Sequence, residues 1–92
     1  TKGKYPGKYP FTSIRELTGD DLEGLSDFDK KIMRNEILAR HGYIFQDEDM
    51  KFYFTGQKWY KPKYSNLDKV LSEVEKANMQ TLDIIEKKNK KK

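Results

Sequence analysis

Six positions on one predicted helix, Arg34, Asn35, Glu36, Ala39, Arg40 and His41, gather most of the chemistry this chain offers, because they include its only histidine beside an acid, an amide and two guanidinium groups. Gly42 ends that helix, and Tyr43-Ile44-Phe45 follows. On a helix Glu36 and Arg40 are four apart and can pair, acid first. Phe28, Ile32, Asn35 and Ala39 share one face, which draws Asn35 toward a core, while Met33, Ile37, Arg40 and Ile44 share another. Buried polar groups need partners, and an unmet one costs ~1–3 kcal/mol. The favoured reading is therefore a structural clamp in which Asn35, Glu36 and Arg40 hold the backbone of the loop after Gly56, under the Trp59 or Tyr60 ring.

Catalytic and metal readings are weaker. His41 lacks a second histidine and any cysteine, and no carboxylates cluster on its helical face, so a metal site is not expected. Glu36 lies five residues earlier, about 140° around the helix, so the two do not form a pair. No serine or cysteine is marked as a nucleophile by a motif. A histidine that caps or hydrogen bonds at a helix C-terminus fits better.

The aromatic residues allow a second idea. Phe52, Tyr53, Phe54, Trp59, Tyr60 and Tyr64 crowd a short stretch. One reading makes them the core of a domain poor in Leu and Val. The other leaves part of them exposed beside Arg or Asn as a surface for sugars or peptides, with Arg34, Arg40, His41, Trp59 and Tyr60 as the binding candidates.

These side chains need helices to place them, and the punctuation is legible. Thr18 caps a short helix over about Gly19–Gly24, with Leu17 stapled to Leu22. Ser26 caps a longer one from Asp27 to His41, with Gly42 as its left-handed terminator. Asp47 caps a third that ends near Gly56 and places Met50, Tyr53 and Phe54 on one side. Ser72-Glu73-Val74-Glu75 is a capping box, followed by a stripe of Val74, Ala77, Asn78, Thr81, Leu82 and Ile85. The expected fold is a small all-α domain with two short and two longer helices and aromatic-rich loops packed on it.

Composition sets the outer bounds. Ninety-two residues make one domain with a limited core. There is no cysteine, so disulfides and thiolate metal sites are excluded. No apolar run approaches ~18 residues, so nothing spans a membrane, and no signal-peptide pattern opens the chain. The net charge is +4, yet residues 11–86 alone hold 11 Lys and Arg against 15 Asp and Glu. The basic sign belongs to the ends, which argues against nucleic-acid binding by the body. Residues 1–10 repeat Gly-Lys-Tyr-Pro and are expected to form a flexible basic leader. Residues 87–92 are a basic tail, either a frayed helix end or a solvated segment. Binding to an anionic surface or nucleic acid through these tails is the alternative function.

Taken together, Arg34-Asn35-Glu36-Ile37 and Ala39-Arg40-His41-Gly42-Tyr43 resemble the signature of the YARHG domain, a small bacterial extracellular module. Leu17-Thr18, Asp21-Leu22 and Gly24-Leu25-Ser26 resemble its lead-in; Tyr53-Phe54, Gln57, Trp59-Tyr60, Pro62 and Asn78 fit downstream, so that residues 14–86 are covered. Leu38 stands where the family has its eponymous tyrosine, so no role of that hydroxyl carries over. The resemblance implies an extracytoplasmic module of lipoproteins and anchored proteins, and does not imply an enzymatic activity. The expectation is a non-enzymatic interaction or anchoring module, periplasmic or at the cell surface, without cofactor. Its expected partner is a cell-wall glycopeptide or an envelope protein, and its tether lies in flanking segments.

Overall fold

The computed structural model describes residues 5–90. A 3-10 turn at Pro10–Ser13 leads into α1 (Gly19–Leu22), α2 (Asp27–Arg40), α3 (Glu48–Thr55) and α4 (Glu73–Lys90). The all-α expectation holds, with two short and two longer helices. α4 packs chiefly along α2, and the 3-10 turn lies against both.

The predicted caps start each helix. The Ser26 hydroxyl accepts from the Asp29 amide at 3.1 Å, and the Asp47 carboxylate accepts from the Asp49 amide at 2.9 Å. At α4 the capping box is closed both ways: the Ser72 amide donates to Glu75 Oε1 at 2.9 Å, and the Glu75 amide donates to the Ser72 hydroxyl at 3.1 Å. These bonds satisfy amides that a helix leaves unpaired in its first turn. α1 is shorter than expected, ending at Leu22, and Thr18 is fastened to Asp21, whose carboxylate the Arg15 guanidinium grips at 2.7 and 2.8 Å.

α2 is the spine. Ile32, Met33, Ile37 and Ala39 are buried along it. Ile32 and Ala39 join Phe45, Met50 and Phe54 in one apolar cluster, with Tyr53, Trp59 and Tyr60 packed partly buried around it. Phe45 and Phe54 stack with centroids 5.0 Å apart, an arrangement that adds ~0.5–1.5 kcal/mol to plain burial. Of the crowded rings, Phe54 is therefore core and Phe52 is exposed. Phe28 is also exposed, so it does not steer Asn35 inward as the helical face suggested. On α4, Asn78 and Leu82 are buried as predicted, Thr81 is exposed, and Glu75 is buried where the spacing had not placed it.

Two expected boundaries move. The stretch Pro6–Pro10, read as part of a flexible leader, is hydrogen bonded to α2 and belongs to the body. At the other end α4 runs past residue 86 to Lys90, so the first lysines of the basic tail are helical. The rest of both lysine-rich ends, residues 1–4 and 91–92, lies outside the described residues.

Candidate functional site

The Glu36 carboxylate is buried beneath the N-terminal segment. It accepts from the Tyr9 amide at 2.6 Å on one oxygen and from the Lys8 amide at 2.7 Å on the other. Gly7 turns the chain over this carboxylate with φ +117°, and a Cβ there would stand 2.6 Å from both oxygens. One helical turn on, Arg40 pairs with Glu36 at 3.0 Å. Its remaining donors go to the Pro6 carbonyl at 2.8 Å, the Tyr9 carbonyl at 2.7 Å, the Thr12 hydroxyl at 2.9 Å and the Ser13 hydroxyl. Only a forked guanidinium reaches so many acceptors at once. Burial lowers the Arg40 pKa, and the Glu36 charge opposes that shift. The clamp thus holds residues 6–13 rather than the loop after Gly56, which corrects the expectation. Asn35 takes no part in it: its amide donates to the Lys31 carbonyl within its own helix, at 2.8 Å.

His41, the C-cap of α2, fastens a different segment. Its Nε2 lies 2.8 Å from Glu75 Oε1 on α4. The other Glu75 oxygen accepts from the Ser13 hydroxyl at 2.7 Å. Burial raises the Glu75 carboxyl, but the Ser72 amide, the Ser13 hydroxyl and His41 together hold it below its ordinary value. Three residues along α4, the buried Asn78 donates to the Thr12 and Arg15 carbonyls at 2.9 Å each and accepts from the Leu17 amide at 2.8 Å. From the sequence Glu75 has only a capping role. Its second duty was invisible because Ser13 and His41 are brought together by the fold alone.

Gly42 fastens a third segment. With φ +86° it turns the chain back, and its carbonyl accepts from the Lys63 amide at 2.7 Å and the Tyr64 amide at 2.9 Å. The Ile44 amide returns a bond to the Tyr64 carbonyl at 2.8 Å, and Tyr43 bridges Tyr64. The Tyr60 hydroxyl donates to the Tyr43 carbonyl at 2.5 Å. Gly42, expected as the terminator of α2, thus holds the aromatic loop in place of Asn35, Glu36 and Arg40.

Between the end of α2 and this loop lies an open depression of about 350 Å³, lined by Arg40, His41, Gly42 and Trp59 and by Lys61, Lys63, Tyr64 and Val70. It brings together three predicted binding residues, Arg40, His41 and Trp59. Arg40 contributes a wall but no free donor, since its side chain is 4% exposed and bound on all sides. Tyr60 packs in the core, and Arg34 lies elsewhere, paired with Glu86 on α4 at 3.0 Å. Lys61, Lys63, Tyr64 and Val70 were missed. The Lys-Pro-Lys-Tyr run was visible, but its approach to His41 depends on Gly42. Among the described residues no group of three or more His, Cys, Asp or Glu side chains could hold a metal ion, and no helix is long and apolar enough to cross a membrane.

The chain is a small helical domain in which the consecutive Arg40, His41 and Gly42 each fasten a separate segment. The chain belongs to the YARHG domain family, whose profile it matches over residues 8–87, and domains of this family are generally extracellular modules. The match begins at Lys8, within the segment that Glu36 and Arg40 hold. No curated protein and no solved structure matches the chain.

Proposed function

We propose that this domain is a non-enzymatic interaction or anchoring module of the bacterial cell envelope, periplasmic or at the cell surface. It binds peptidoglycan fragments in the depression beside His41 and is tethered through flanking segments. One observation carries the reading: the depression gathers cationic and aromatic groups that no carboxylate among the described residues pairs with, the Lys63 ammonium lying 5.7 Å over the Tyr64 ring. Among the described residues, neither the Lys61 nor the Lys63 ammonium pairs with a carboxylate. Tyr64 is 39% exposed beside the half-buried Trp59. Rings of this kind stack on sugars and peptides, while a few placed polar groups set orientation. The originally expected aromatic–arginine surface becomes an aromatic–lysine surface, because Arg40 is consumed.

The test is a titration of the isotope-labelled chain with soluble muropeptides, following amide and indole shifts. Shifts confined to Trp59, Lys61, Lys63 and Tyr64 support the reading, and Tyr64→Ala then weakens binding while the melting temperature holds. A spectrum that does not move refutes it and turns the search to an envelope protein as partner.

A further inference from the structure

We infer that the depression selects a carboxylate carried by a short peptide, such as a peptide stem, rather than an uncharged glycan face. The inference rests on the proposed use of this site and goes on to name the chemistry of its ligand.

Charge points to an anion. Residues 11–86 are acidic in sum, with 11 Lys and Arg against 15 Asp and Glu. The depression departs from that background: its lining contains no Asp or Glu, and Lys61, Lys63, His41 and Arg40 contribute its polar side chains with the Tyr64 hydroxyl. The two acids that brace its wall are already engaged. Glu36 is bound to Arg40 and two backbone amides, and Glu75 to His41, Ser13 and Ser72. A carboxylate arriving from solvent therefore meets two exposed ammonium groups and no acid in the lining. Fields of one sign in a concave site raise the local concentration of the opposite ion.

Shape and polarity narrow the class. Trp59, Tyr64 and Val70 give the same depression an apolar side, with Val70 36% exposed. Polyol phosphates present anions without an apolar body and leave that side uncovered. A peptide with a carboxylate next to an aliphatic side chain covers both. At about 350 Å³ the space lies near the lower end of small-ligand clefts, roughly 300–1,000 Å³, which suits a short segment rather than a folded surface. The cations on offer are lysines, mobile point charges that suit a flexible ligand without a fixed bidentate geometry.

The experiment titrates the full chain with three probes: a muramyl peptide with free carboxylates, the same peptide with its carboxylates amidated, and glycerol phosphate. The expected result is saturable shifts at Gly42, Lys61, Lys63 and Tyr64 with the first probe. Amidation should weaken binding roughly ten-fold, and the joint substitution Lys61→Gln with Lys63→Gln should remove most of that difference. Raising the salt should weaken the free acid and leave the amide unchanged. Both lysines are exposed, so the variant folds. Equal binding of acid and amide overturns the inference and leaves the site standing. Glycerol phosphate binding as tightly as the acid overturns the peptide assignment. Silence of these residues toward all three probes removes the site itself, and with it the proposed function.

Discussion

Replacing Arg40 by Met should be the most damaging single change to this domain. The Arg40 side chain is 4% exposed and its Glu36 partner 1%. Removing one member of a buried ion pair costs about 3–5 kcal/mol, because the other charge stays behind uncompensated. Here the loss also takes the Arg40 donor from the Pro6 carbonyl and the Thr12 hydroxyl, while the Tyr9 carbonyl keeps the Thr12 hydroxyl and amide. Glu36 keeps its two amide donors, which tempers the penalty and places the expected cost in the lower half of that range, about 3–4 kcal/mol. A domain of this length has on the order of 5–14 kcal/mol in all. At ~4–8 °C per kcal/mol the melting temperature falls by roughly 12–30 °C. Thermal and urea unfolding followed by circular dichroism measure this directly. Amide exchange at Lys8 and Tyr9 should accelerate in parallel, since their shared acceptor loses its anchor. Pairing Arg40→Met with Glu36→Gln should cost less than the sum of the single changes, with a coupling of about 1–3 kcal/mol. A single-variant loss below about 1 kcal/mol, with Lys8 and Tyr9 as protected as before, would refute the clamp.

Three further changes discriminate among the motif's parts. Asn35→Ala should cost no more than about 1 kcal/mol by urea unfolding, since it removes one bond to the Lys31 carbonyl; a loss equal to that of Arg40→Met would mean Asn35 has a larger role. Gly42→Ala should cost about 2 kcal/mol or more, because its φ is +86° and the new Cβ would stand 2.6 Å from the Lys61 carbonyl oxygen; an unchanged melting temperature would show that the loop gives way freely. Glu75 ties stability to pH. Its folded carboxyl lies below the ordinary 4.5, so its contribution is complete above that value and is lost as pH falls through the folded one. The urea midpoint should therefore decline in acid, with Asp47 adding to the same limb, and Glu75→Gln should lower stability at neutral pH and flatten the decline. An acid limb identical in the variant would contradict the assignment.

What was legible in the sequence followed from local rules. Ser26, Asp47 and Ser72 announce their helices because an N-cap needs only a residue and its third neighbour. Gly42 announces a left-handed stop for the same reason. The polar content of the motif was legible too, but its partners were not. Sequence alone matches Glu36 and Arg40 with the aromatic loop, because that loop has no regular hydrogen bonding of its own. The actual partner is Pro6–Ser13, of which Pro6–Pro10 resembles a linker in its glycine, proline and lysine composition. A segment without helical periodicity can still be ordered when a buried charge pair meets its amides and carbonyls. The partners of Glu75 and Asn78 are illegible for a related reason, since Ser13 lies 62 positions from Glu75 and Thr12 lies 66 from Asn78.

The separation of duties within Arg40-His41-Gly42 bears on where recognition can lie. Arg40 spends its donors on the N-terminal segment, His41 meets α4, and the Gly42 carbonyl is taken by the aromatic loop. Groups so engaged cannot also grip a ligand without loosening the segments they hold. Leu38, in the tyrosine position, is packed partly buried against the apolar cluster and offers no polar group at all. The motif is thus better suited to fixing the walls of a site than to reading what enters it. Reading falls to groups that the motif positions and that no carboxylate among the described residues pairs with, and in the depression those are the Lys61 and Lys63 ammonium groups, Lys63 lying 5.7 Å over the Tyr64 ring. On this logic substitutions in the motif should change stability first and affinity only through it, whereas substitutions at Lys61, Lys63 and Tyr64 should change affinity with the fold intact.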